Sequence, residues 1–194
     1  MPYPSDWGAF LKQLKEQPTA LDSELGIFGA RYRLASEFSG LELGNISADT
    51  AAYYSAITKI GLAYACLERL EKILNDTNHS PMKAADLASN MRKNRFSSLM
   101  DLAEDHIMND QLKTRIQRLR ADDAFDDVRP FVEAIRHSLF HGRFTPGTSG
   151  QRVNKGLLEL LDGLAQVTLR HANQTFSFAI ALRGKSTLGE VKLN

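Results

Sequence analysis

Ala51-Ala-Tyr-Tyr-Ser-Ala-Ile-Thr-Lys-Ile-Gly-Leu-Ala-Tyr-Ala-Cys-Leu-Glu-Arg-Leu-Glu-Lys-Ile-Leu-Asn75 decides the fold class of this chain. Ala56, Ile60, Ala63, Leu67, Leu70 and Leu74 recur at alternating four- and three-residue steps. Those steps place all six on one side of an α-helix. Ser47 or Asp49 can cap its N-terminus. The spacing predicts a long helix over 51–75 with one continuous buried face. Cys66 sits beside the stripe, where a free cysteine is expected to pack as a small hydrophobe.

Working outward, helical periodicity continues and period-two alternation between hairpin turns is absent. Helices are expected over 5–16, ending before Pro18, and over 22–38, where Gly26, Gly29 and Gly40 lower the propensity. Beyond the long helix, 78–82 reads as a loop, with Ser80 as cap and Pro81 at a first helical position. Further helices are expected over 81–92, 96–108 and 110–120. Asp122, Asp123, Asp126 and Asp127 break the pattern and offer acidic caps to a helix over 128–141, whose Pro130 falls in the first turn. Gly142 is a stop signal, and 145–150 is a Gly/Pro/Ser/Thr loop. A second long helix is expected over 153–182, then a loose tail over 183–194. The fold class is all-α: a helical bundle with two long helices and several shorter ones. Residues 1–194 read as a single domain, with 1–45 a helical N-terminal extension.

Composition narrows the function. The 194 residues hold 24 Lys plus Arg against 23 Asp plus Glu, a net charge of +1. That balance excludes nucleic-acid binding through the overall field, though not through a local patch. A single cysteine excludes an intramolecular disulfide and a Cys-based zinc site. Residues 1–7 lack the basic start and apolar core of a signal peptide. The most apolar run, 60–67, is far shorter than the ~18 residues of a membrane span. The expectation is a cytoplasmic protein with no membrane contact, in which the Asn-x-Ser/Thr triplets at Asn45, Asn75 and Asn173 are chance matches.

One segment carries chemistry: Val128-Arg-Pro-Phe-Val-Glu-Ala-Ile-Arg-His-Ser-Leu-Phe-His-Gly142. At about 100° per residue, Val128, Phe131, Val132, Ile135 and Leu139 share a narrow sector, the core side. His137 and His141 lie one turn apart and point nearly opposite to it. Glu133 lies one turn before His137 and can hydrogen-bond it, fixing its tautomer. Arg136 projects from the flank. Three readings stay open on these residues alone. The histidines can be surface groups stabilised by the helix dipole, with Arg136 an ordinary surface arginine. His137 and His141 can be an i, i+4 metal pair, although no third ligand lies at a signature spacing and His-Glu-x-x-His is absent. Or the polar wall is catalytic.

Arg136-His-Ser-Leu-Phe-His141-Gly resembles the signature of the HEPN superfamily: an arginine, a polar residue, a few more residues, then a histidine, often followed by glycine. Arg136 matches the signature arginine and His141 the signature histidine. His137 takes the polar position, commonly Asn, and so departs from the family while keeping hydrogen-bonding capacity. Placement agrees too, since the family's motif lies near the end of a late helix with another long helix after it. Residues 1–45 lie outside the resemblance.

The resemblance implies a HEPN-like bundle and a metal-independent, cofactor-free endoribonuclease of a stress, toxin–antitoxin or defence system. Partners would be an RNA substrate, an antitoxin protein and a second copy of the chain, with the two motifs facing each other. Cutting RNA without metal needs a base for the 2′-OH and a cation for the phosphorane, and leaves a 2′,3′-cyclic phosphate. A neutral histidine suits the base, and arginine suits the phosphorane because its planar fork donates in pairs. The catalytic candidates are therefore His141 as base or acid, Arg136 on the phosphorane, His137 orienting, and Glu133 behind His137. The alternative is a non-catalytic dimerisation or interaction module in which the same motif only stabilises contacts.

RNA would also need positive charge near that wall. Arg92, Lys93 and Arg95 cluster before Phe96, and Lys113, Arg115, Arg118 and Arg120 follow without an intervening acid. Such a run can neutralise phosphates, or form a solvated helix face. No aromatic platform for base stacking is evident, as Tyr53 and Tyr54 face different ways and Phe176 and Phe178 are expected in the core.

Overall fold

Ser47 opens the long helix, α3 (Ala48–Leu74): its Oγ accepts a hydrogen bond from the Thr50 backbone N–H at 3.2 Å. The capping serine places the first turn earlier than the apolar stripe alone suggested. Asn75 ends the helix in the left-handed region, φ 50°, with its N–H turned to the Glu71 and Lys72 carbonyls. Asparagine tolerates this conformation better than most residues.

The computed structural model describes residues 3–16, 22–75, 81–84, 110–122, 127–140 and 155–185. Regular structure there is entirely helical: besides α3, α1 (Trp7–Glu16), α2 (Asp22–Glu37), α4 (Asp110–Asp122), α5 (Arg129–Phe140) and α6 (Lys155–Lys185). The protein is all-α. Gly26 and Gly29 do not interrupt α2. Among the described residues, no helix is long and apolar enough to cross a membrane.

Three expectations need correction. Residues 81–84 are not helical. The Met82 N–H donates to Asp127 Oδ1 at 3.0 Å, and the Met82 carbonyl accepts from the Val128 N–H at 3.0 Å. Met82 is fully buried, so this stretch is held against the entry to α5 rather than starting a helix. Residues 183–185, expected in the loose tail, continue α6. Phe178, expected in the core, is 67% exposed. It lies two residues from buried Phe176, which puts it on the opposite side of α6. The segments 85–92, 96–108, 141–154 and 186–194 lie outside the described residues.

α3 is the hub, packed most extensively on α6, then on α2 and α5. Paired contacts give the directions. Glu24 pairs with Arg69 and Leu41 with Ser55, so α2 runs antiparallel to α3. Lys59 reaches Asp162 at 2.6 Å, and Ala63 packs with Leu169, so α6 runs parallel to it. The stripe residues Ile60, Ala63, Leu67 and Leu70 are fully buried, and Tyr53, Ile57 and Ile73 join them. The buried face is wider than a seam because neighbours surround α3 on several sides.

The N-terminal helices enter the same core through Phe10, Leu25 and Phe28. Trp7 lies 4.9 Å from Phe10 and 5.8 Å from Phe176, and Phe28 stacks on Phe176 at 5.2 Å, measured between ring centroids. Gly29 makes room for this cluster, since a Cβ there would overlap the Trp7 ring. Gly29→Ala is therefore expected to displace the chain's one tryptophan. The cost should be ~1–3 kcal/mol by overpacking, with a red-shifted Trp7 emission as the readout.

Cys66 is fully buried, as its place beside the stripe suggested. Burial pushes its thiol up to about 12. It stays protonated at neutral pH and packs as a small hydrophobe.

Candidate functional site

α5 is anchored at its N-terminus and along one face. Asp127 Oδ1 accepts from the Arg129 N–H at 3.1 Å, capping the first turn. Val128, Phe131, Val132 and Ile135 are fully buried, and Leu139 is partly buried against the core. The expected core sector is correct but too narrow, because Ala134 and Ser138 are also fully buried. Glu133, Arg136 and His137 are the half-buried positions left on the helix.

The decisive contacts are with α3, which runs antiparallel to α5. The outer pairs give the direction: Gly61 faces Leu139, and ten residues further along α3 Glu71 binds Arg129, ten residues back along α5. Between them Tyr64 binds Glu133 and Glu68 binds Arg136. Arg136 grips Glu68 with both ends of its fork, Nη1 to Oε1 at 3.3 Å and Nη2 to Oε2 at 2.8 Å. Its guanidinium also lies over the Tyr64 ring, 5.3 Å from the centroid. The pair is water-facing, with the Arg136 side chain 31% exposed and that of Glu68 50%.

Glu133 has partners that helix spacing did not name. Its Oε1 accepts from the Tyr64 hydroxyl at 2.8 Å, and its Oε2 from Arg115 Nη1 at 2.9 Å. Burial, then the charge of Glu133, pushes the Tyr64 phenol well above its usual range. It remains a neutral donor throughout the physiological range. Arg115, expected in a phosphate-binding run or a solvated face, is exposed and through Glu133 also ties α4 to α5. The surface thus carries a chain of groups, Arg115 to Glu133 to Tyr64 to Arg136 to Glu68, whose formal charges cancel.

Of the remaining candidates, Lys113 is half-buried and Arg118 exposed on α4, where Arg120 also lies. Arg92, Lys93, Arg95 and His141 lie outside the described residues, so the meeting of Arg136 with His141 and the His137–His141 metal pair do too. Among the described residues, no group of three or more His, Cys, Asp or Glu is placed to hold a metal ion.

Sequence reading missed a second arginine on α5. Arg129 is 1% exposed and Glu71 4%. They form a buried fork, Nη1 to Oε2 at 3.0 Å and Nη2 to Oε1 at 2.6 Å. Burial pulls the Arg129 pKa down, but hydrogen bonding to and attraction by Glu71 outweigh it and leave the guanidinium held above its ordinary value. His171 Nε2 of α6 lies 3.4 Å from Arg129 Nη2. Arginine only donates, so that nitrogen must be the accepting, unprotonated one. The pair joins α3, α5 and α6 at one buried point. Compared with protein-family models, curated proteins and solved structures, the chain matches none.

Proposed function

We propose that the protein is a metal-independent endoribonuclease of HEPN type, acting as a homodimer in a stress, toxin–antitoxin or defence system. The observation that supports it is the state of Arg136. A guanidinium fixed in plane by a carboxylate and an aromatic ring, yet open to water, suits binding of a phosphodiester and then of the phosphorane. His141, five residues on, is the base that takes the 2′-OH proton or the acid that protonates the leaving 5′-oxygen. His137, on the outer side of α5, orients the RNA or the second imidazole. A second copy of the chain would bring another Arg136 and His141 to the same face, and an antitoxin protein would cover it.

The reaction needs a 2′-OH, so the test is a matched pair of oligonucleotides in excess chelator. The RNA should be cut to 2′,3′-cyclic phosphate ends, and its 2′-O-methyl counterpart should survive. Equal cutting of both would overturn the mechanism.

One observation favours a second reading. Arg136 is already paired with Glu68 through both terminal nitrogens, as a structural arginine would be, which suits a non-catalytic interaction module. Such a protein would leave every RNA intact but still self-associate, and Arg136→Ala would weaken that association.

A further inference from the structure

The same two helices carry two Arg–Glu forks of opposite character. Arg129 and Glu71 have side chains only 1% and 6% exposed, whereas those of Arg136 and Glu68 are 31% and 50% exposed. The buried fork has nothing to exchange with, because no anion in water can reach it without opening the α3–α5 seam. The outer fork is bounded by water on one side. An exposed carboxylate bound to arginine contributes little to stability, since water solvates both partners well when they part. A phosphate oxyanion is a charge-assisted, bidentate acceptor for the same donor edge.

The platform beneath that edge does not depend on Glu68. The Tyr64 ring lies under the guanidinium at 5.3 Å, and the Tyr64 hydroxyl is tied to Glu133 at 2.8 Å. Glu133 is tied in turn to Arg115 at 2.9 Å. If the Glu68 carboxylate swings away, the ring still holds the guanidinium plane. Glu68 is the more exposed partner, its side chain 50% open against 31% for Arg136.

We infer that Glu68 is a built-in competitor for the anion subsite of Arg136: it occupies the donor edge of the guanidinium in the resting protein and must be displaced by an incoming phosphate group. The contact both pre-orients the arginine and restrains it. Anions without a second anchoring interaction are discriminated against, because they must expel a tethered carboxylate. An RNA strand, presenting several phosphates at once, has the avidity to do so. This rests on the proposed ribonuclease reading for the identity of the anion, though not for the exchange itself.

Inorganic phosphate tests the exchange directly on the full chain. The Arg136 side-chain N–H resonance is followed by NMR as phosphate is added at constant ionic strength to wild type and to Glu68→Gln. Arg136→Lys serves to assign the signal. Glu68→Gln keeps the size and one acceptor while removing the charge, and its melting curve checks that it folds as wild type does. Removing a negative charge adjacent to the site should tighten apparent phosphate binding by about fivefold or more. An equal response in both proteins would overturn the inference. So would tightening of the same size, read from the backbone N–H resonances, when Glu68→Gln is combined with Arg136→Ala, because net charge alone would then explain it. The RNA arm separates the two readings. If wild type cuts RNA, Glu68→Gln should cut at a lower KM. If neither protein cuts RNA while phosphate still discriminates between them, the ribonuclease reading fails and the exchange stands.

Discussion

Arg129→Ala should be the most destabilising single change on α5, costing ~3–5 kcal/mol by the loss of one partner from a buried ion pair. The substitution leaves the Glu71 carboxylate, 4% exposed, without the fork that accounts for its burial. It also empties the volume of the largest fully buried side chain in the described residues, which adds a cavity cost. His171, 3.4 Å from the guanidinium, loses its donor as well. Urea unfolding followed by circular dichroism measures the loss. Glu71→Ala should cost a similar amount, since it strands the opposite charge. Replacing both partners with apolar residues of similar length, Arg129→Met with Glu71→Met, should recover much of the loss because no charge is left buried. A double variant no more stable than Arg129→Ala would show that the fork does more than satisfy itself.

His141→Ala should abolish most RNA cleavage, by ~10²–10⁴-fold, the usual share of a general acid or base. Arg136→Ala should cost ~10²–10³-fold, as the loss of an oriented donor to a developing oxyanion does. Arg136→Lys should not restore full activity, because an ammonium cannot present two parallel N–H groups. Stability should follow a different pattern. The Arg136–Glu68 pair is half open to water, so its removal should cost no more than ~1 kcal/mol. Loss of activity with a nearly unchanged melt at Arg136, against a collapsed melt at Arg129, would separate the two arginines by role.

How legible these roles were depends on the kind of signal. The Ile60 to Leu70 stripe and the Val128 to Leu139 sector were readable because burial of apolar surface imposes the helix period on residue type. Ser47, Asp127 and Asn75 were of capping type and lie at helix ends, although the sequence did not show that Asp127 would also hold Met82. Which charges are buried was not readable, because Arg129 and Arg136 look alike to any pattern based on polarity. A clue was present all the same. Residues seven apart on a helix lie within about 20° of each other, so Arg129 and Arg136 share a side. Glu68 and Glu71, three apart on α3, share one too. Two arginines on one side of α5 and two glutamates on one side of α3 are compatible with two forks, but their unequal spacing along the helices does not predict them, and only the tertiary arrangement decides which is dry. Phe178 failed for the converse reason, since its residue type suggested burial and its position on α6 exposes it.

The ribonuclease reading stands or falls on cleavage of a labelled RNA in excess EDTA by wild type and His141→Ala, side by side. Wild type should cut and leave 2′,3′-cyclic phosphate ends, whereas the variant should be inert and melt as wild type does. Cutting that vanishes with the chelator, or that His141→Ala retains in full, would contradict that reading.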